Sequence, residues 1–112
     1  MTSIDWNAVG REAITAAITS LGASWDKVRP TTQPSIPLLV QTGQYIVDNY
    51  ANLSEIERRL LEEGQRLAIK NVLLAYEDIG ILAAEQAVAA VWAVIEKAIK
   101  TALGGWPTKV AA

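Results

Sequence analysis

Three polar residues stand seven apart in the second half of the chain: Asn71, Asp78 and Glu85. On a helix, residues seven apart return close to one face, so the amide and the two carboxylates would share a line. Oxygen ligands of this kind suit a hard cation such as Mg²⁺ or Ca²⁺, or a small polar site where helices meet. The same residues also fit a polar register row inside an apolar seam, which fixes alignment and oligomer state at some cost in stability. The register reading is preferred. Helical carboxylate metal centres of the ferritin type use Glu-x-x-His, and this chain has no His.

The absence of His also removes the commonest general base. There is no Cys, so thiol nucleophiles, disulfides and zinc–thiolate sites are excluded. Besides Glu85, the acid clusters on the same stretch are Glu62-Glu63 and Glu77-Asp78. Acid pairs without a pocket are weak evidence for catalysis. The glycines are scattered, and none precedes the Lys-Ser/Thr pair of a phosphate loop. No catalytic residue, metal ligand set or cofactor site is therefore assigned, and a non-enzymatic protein is expected. The formal net charge is -2, which opposes a nucleic-acid binder driven by a positive field. Arg58, Arg59 and Arg66 do not form a basic patch either, because acids interleave with them.

The elements that would position these residues are helical. The chain has 112 residues, 51% of them hydrophobic and 20% charged, which suits one folded domain. Ala occurs 18 times and Phe not at all, so a core of Leu, Ile, Val and Ala favours closely packed helices. A first helix is expected over residues 5–21. Thr2 with Asp5 has capping-box spacing, and Ser3 or Asp5 could serve as the N-cap. Ile14, Ala17, Ile18 and Leu21 follow one face, and Gly22 supplies the stop. Residues 23–36 read as a Pro-containing connector, pinned by Trp25 and Val28, because Pro30 and Pro34 remove donors and disfavour helix before them. A second helix follows over 37–51, with Pro37 in its first turn and Leu39, Gly43, Ile46, Val47 and Tyr50 on one face. Asn52 and Leu53 form a short break.

The capping box Ser54–Glu57 opens the dominant element, residues 54–103, followed by a tail over 104–112. The pattern predicts a long helix, continuous or kinked at Gly80. Two helices of equal length meeting at Gly80 are the alternative. Steps of seven along it meet Leu53, Leu60, Leu67, Leu74, Ile81, Val88 and Ile95, all apolar, with Leu61, Ala68, Ala75, Leu82 and Ala89 as a second row. Asn71, Asp78 and Glu85 lie between the two rows. Leu60, Leu67, Leu74, Ile81, Val88 and Ile95 are thus candidates for an oligomer seam. The charges form Glu55–Arg59, Glu62–Arg66 and Glu96–Lys100 pairs in the favourable i, i+4 order.

Residues 87–95, AVAAVWAVI, are apolar on every side. A helix of this kind is buried all round or lies in lipid. Two short helices cannot easily surround it, so packing against copies of itself is expected. The stretch 79–95 approaches the minimum length of a membrane span, but Glu85 and Gln86 lie within it and would be costly there. Trp6 and Trp106, near the two ends, are candidate interface anchors. The fold class expected is all-α, two short helices and one long one, packed as a bundle in a homo-oligomer. The expected role is assembly, scaffolding or binding of a partner protein. A membrane-inserting pore or anchor, and an ion- or ligand-binding bundle, are the alternatives. Residues 1–12 lack a basic region followed by an apolar run, so no secretory signal is expected and the cytosol is the default location. No motif assigns a family. Size, a long Ala-rich helix and the lack of catalytic groups resemble, in a general way, small virus or phage assembly proteins, which would imply a structural or accessory role in a particle.

Overall fold

A computed structural model describes residues 4–104. Among these residues every regular element is helical. Five α-helices occur: α1, Trp6–Leu21; α2, Trp25–Thr32; α3, Ile36–Asp48; α4, Glu55–Leu74; and α5, Ile81–Leu103. Short 3₁₀ turns, Gly22–Ser24, Gln33–Ser35 and Tyr50–Asn52, follow α1, α2 and α3.

The first helix begins as its sequence dictates. The Asp5 side chain accepts from the backbone N–H of Asn7 and of Ala8, at 3.1 and 3.2 Å, satisfying two of the donors that a helix start leaves open. Thr2 and Ser3, the other cap candidates, lie outside the described residues. Gly22 ends the helix with φ +57° and donates its N–H to the Ile18 carbonyl, a conformation that costs a glycine little. The buried face is Val9, Ala13, Ala17 and Leu21. Ile14 is half-buried and Ile18 exposed, so the core face is rotated from the expected one. Small residues turned inward let α1 lie close to α5, its most extensive partner.

Residues 23–36 are not an irregular connector. Past the turn at Gly22, helical conformation runs on through α2 and α3 without an extended residue before Asp48. The reason is that Pro30, Pro34 and the following Pro37 fall where a helix tolerates them, or nearly so. Pro34 and Pro37 stand in first turns, where no donor is lost. Pro30 is inside α2, but the carbonyl it leaves without a partner belongs to Asp26 in that helix's first turn. Burial of Trp25, Val28 and Thr32 on one face holds this short helix down, and Trp25 and Val28 do anchor the segment as expected. On α3, Leu39, Gly43, Ile46 and Val47 are buried, joined by Ile36 and Val40.

The expected long helix is two. α4 stops at Leu74, residues 75–80 turn, and α5 starts after Gly80, which caps it in extended conformation (φ −75°, ψ 162°) with no side-chain hydrogen bond. The turn is pulled onto α2. Ile79 is buried, the Tyr76 hydroxyl lies 2.7 Å from Thr31 Oγ1, and Lys27 is paired with Asp78. Beyond the turn the chain doubles back: Lys70 and Glu85, equally far from its centre, face each other at 3.9 Å. The result is an αα-hairpin.

Doubling back also resolves the all-round apolar stretch. α1, α3 and α4 all pack on α5, so one chain supplies the neighbours that two short helices could not. Ala87, Val88, Val91, Trp92 and Ile95 are buried, while Ala89 and Ala93 are exposed. Burial of this helix therefore needs no second copy. Gly43 of α3 meets α5 closely: a Cβ there would stand 2.5 Å from Ile95 Cγ2.

A candidate interaction surface on the fourth helix

The helix break scatters the polar row. Asn71 remains on α4, Asp78 falls in the turn, and Glu85 lies in the second turn of α5. All three are exposed. Asp78 and Glu85 keep 64% and 54% of their side-chain surface in solvent and are paired with Lys27 and Lys70. Neither carboxylate is buried, so these residues form no internal register row. No group of three acidic, His or Cys side chains that could hold a metal ion occurs among the described residues. No described helix is long and apolar enough to cross a membrane.

The apolar ladder divides too. Leu60 and Leu67 project from α4 into solvent, and Leu74 is half-buried against the core. Ile81 is exposed at the start of α5, whereas Val88 and Ile95 lie inside the chain's own core. Val88 and Ile95 are therefore unavailable to an oligomer seam. Of the two Trp anchors, Trp6 is half-buried against the core, and a Cβ on Gly43 would touch its ring. Trp106 lies outside the described residues.

What remains of the ladder is a stripe on one helix. α4 is built to stand firmly. Ser54 accepts from the Glu57 N–H at 3.1 Å while Glu57 accepts from the Ser54 N–H at 2.8 Å, a complete capping box. The bond donated by the Ser54 N–H, and to a lesser degree the nearby Ser54 hydroxyl, hold the Glu57 carboxyl below the ordinary Glu range. Arg59 pairs with Glu55 and Arg66 with Glu62, as the spacing predicts. Arg58 does more than the sequence suggests. It lies 3.9 Å over the Tyr50 ring and donates to the Tyr50 and Leu53 carbonyls, which fastens the α3–α4 loop to α4.

The inner face of α4 places Ile69 and Leu73 in the core, with Leu61 packed beside them. At about 100° per residue, Ile56, Leu60 and Leu67 fall within an arc of about 40° on the side away from that face. They are 68%, 62% and 55% exposed. Gly64 stands at the edge of the stripe, and nothing lies within 4 Å of where its Cβ would be. The apolar surface continues sideways through an open cleft shared by Tyr45, Leu53, Leu60 and Leu61, and through another that reaches Leu38 on α3. On the other flank an open cleft between α4 and α5 is lined by Glu63, Arg66, Leu67, Lys70, Glu85 and Val88.

This surface offers contact area and flanking charge, with no buried acid, base or nucleophile set into it. The spacing of Leu53, Leu60, Leu67 and Leu74 already signals the stripe in the sequence. Its neighbours Leu38 and Tyr45, on a different helix, carry no such signal. No protein-family model, curated protein or solved structure matches the chain.

Proposed function

We propose that this chain is a non-enzymatic helical protein that acts through protein–protein contact, associating first with copies of itself in an assembly or scaffolding role. The observation that supports the reading is the exposed stripe Ile56, Leu60 and Leu67 on the side of α4 away from the core. Apolar residues scattered singly over a surface mean little, but a contiguous patch rimmed by charge is characteristic of an interaction site. Here three large side chains share one arc of one helix, Leu38 and Tyr45 extend the patch, and Glu63, Arg66 and Lys70 edge it. A cytosolic or particle-associated location goes with such a role.

Sedimentation velocity and native mass measurement across a dilution series test it. The expected result is a mass of two or more copies at micromolar concentration, falling towards one copy on dilution. A single-copy mass throughout the series refutes the reading.

A further inference from the structure

The two arms of the α4–α5 hairpin match each other about its turn. Leu74 and Ile81, Leu67 and Val88, Leu60 and Ile95, and Leu53 and Ala102 stand in pairs at equal distances from a midpoint between Glu77 and Asp78. The fold uses this register: Lys70 and Glu85, also equally far from the midpoint, face each other at 3.9 Å, and Leu67 and Val88 line one cleft. A straight helix through residues 75–80 would carry the same apolar row without a step, because Leu74 and Ile81 are seven apart. We infer that residues 75–80 are a hinge, and that two copies of this chain associate by opening it and exchanging α5. Each α5 then fills the place that the other copy's α5 has left. The inference rests on the self-association proposed above, assigns it to a moving element, and leaves the outer stripe of α4 free.

Three observations support the exchange. The first is where α5 docks. The helices it chiefly packs on, α1, α3 and α4, all precede the hinge. A second copy's α5 therefore finds the same neighbours for Val91, Trp92, Ile95 and Ile99, and the core is remade with unchanged contacts. The second is the hinge itself. Residues 75–80, AYEDIG, contain no Pro. Gly80 is exposed, caps α5 without a side-chain hydrogen bond, and has nothing within 4 Å of where its Cβ would be. Short hinges of this kind invite exchange of the element beyond them. The third is the latch. Ile79 is the one buried residue of the turn, and the polar contacts that close it come from α2. The Lys27–Asp78 pair is largely exposed, and Thr31 adds one bond to Tyr76; exposed ion pairs contribute little. Charge restrains the opening. A two-fold axis at the midpoint brings Glu77 and Asp78 of both copies together, and like charges in one layer oppose association. The latch and this repulsion keep the closed hairpin populated, and both act through Asp78.

Gly80 tests the hinge without touching the core. Its φ of −75° is one that Ala and Pro adopt equally well. In the exchanged dimer both hinges are helical, so each substitution counts twice. Native mass is measured over a dilution series after incubation near the urea midpoint and return to buffer, since exchange needs α5 to leave its core. Gly80→Ala is expected to lower the dimer dissociation constant about 5- to 30-fold. Gly80→Pro is expected to raise it on the order of 1000-fold, with an unchanged helical circular-dichroism spectrum. Asp78→Asn, which loosens the latch and removes charge at the axis, is expected to lower it. The chain has no Cys, so a Lys70→Cys/Glu85→Cys variant treated with a short bis-maleimide reports which chains supply the facing arms. In a closed copy the link stays within one chain, whereas in the exchanged dimer it joins two and survives denaturation. If a dimer forms but its links stay within single chains, or Gly80→Ala and Gly80→Pro leave its dissociation constant unmoved, another surface is used: the inference fails while self-association stands. If the unmodified chain is a single copy throughout, both fail together.

Discussion

Replacing Gly43 with Ala tests the central packing of α3 on α5. The added Cβ would lie 2.5 Å from Ile95 Cγ2 and 3.7 Å from both Ile99 Cδ1 and Trp6 Cζ3. Carbon atoms pack best at about 3.5–4.0 Å, so the last two contacts are ordinary and the first overlaps by about 1 Å. Ile95 is fully buried, and its Cγ2 sits on the β-branch, where it cannot swing aside without a change of χ1. The helices must separate locally instead. Overpacking of this kind costs about 1–3 kcal/mol, offset by the roughly 0.5–1 kcal/mol that Ala gains over Gly within a helix. The net expectation is a loss of about 1–2 kcal/mol, a fall in Tm of roughly 4–8 °C for a chain of this size. Thermal and urea denaturation followed by circular dichroism give the value. Gly10→Ala is the matched control: Gly10 is inside α1 with nothing within 4 Å of its would-be Cβ, so the same change should stabilise by about 0.5–1 kcal/mol. Ile95→Leu removes the obstructing methyl branch, and the double variant Gly43→Ala/Ile95→Leu should be more stable than the sum of the single changes allows. Gly43→Ala at or above the unmodified stability, or a double-mutant cycle without coupling, would refute the reasoning.

Two other perturbations probe different forces. Thr32 is buried and its hydroxyl has no hydrogen-bond partner; since an unsatisfied buried polar group costs about 1–3 kcal/mol, Thr32→Val should raise the urea midpoint, and a lowered midpoint would show that the hydroxyl is satisfied. Ser54→Ala removes one half of the capping box and should cost about 1 kcal/mol. Because Glu57 has a lowered folded-state pKa, it binds a proton less readily folded than unfolded. Its contribution is therefore complete above the ordinary Glu value of about 4.3 and is lost as pH falls through the lower folded value. Ser54→Ala keeps the backbone N–H that is the largest cause of the lowering, so it should make the acid limb of a pH–stability profile only slightly shallower, whereas Glu57→Gln, which has no carboxyl to titrate, should remove the contribution; an unaltered limb in Glu57→Gln would count against the capping box as its source.

Local chemistry was legible in the sequence wherever it involved neighbours in the chain. The Asp5 cap, the Gly22 stop, the Ser54–Glu57 box, the i, i+4 ion pairs and the buried face of α3 are all set within a turn or two of backbone. What the sequence hid depends on residues far apart. The break at 75–80 keeps the heptad in step, since Leu74 and Ile81 are seven apart on either side of it. Periodicity therefore reads straight through. The turn is held instead by Lys27 and Thr31 of α2, some 45–51 residues upstream. That one reversal scatters Asn71, Asp78 and Glu85 and sends Val88 and Ile95 to the core, leaving Leu60 and Leu67 outside. Proline misled in the other direction. Pro30, Pro34 and Pro37 resemble a broken linker, but burial of Trp25, Val28 and Thr32 outweighs the single hydrogen bond that Pro30 removes.

The packing of α1 chiefly on α5 has a consequence for biosynthesis. α1 is made well before its chief partner: its last residue, Leu21, is separated from the end of α5 at Leu103 by 82 positions (103 minus 21). At the roughly 5–20 residues per second of translation, the inward face of α1 waits about 4–16 s before its partner is complete. During that interval only α2 and α3, on which α1 packs less extensively, are there to cover Val9, Ala13, Ala17 and Leu21. The core as a whole can therefore close only once α5 has been made.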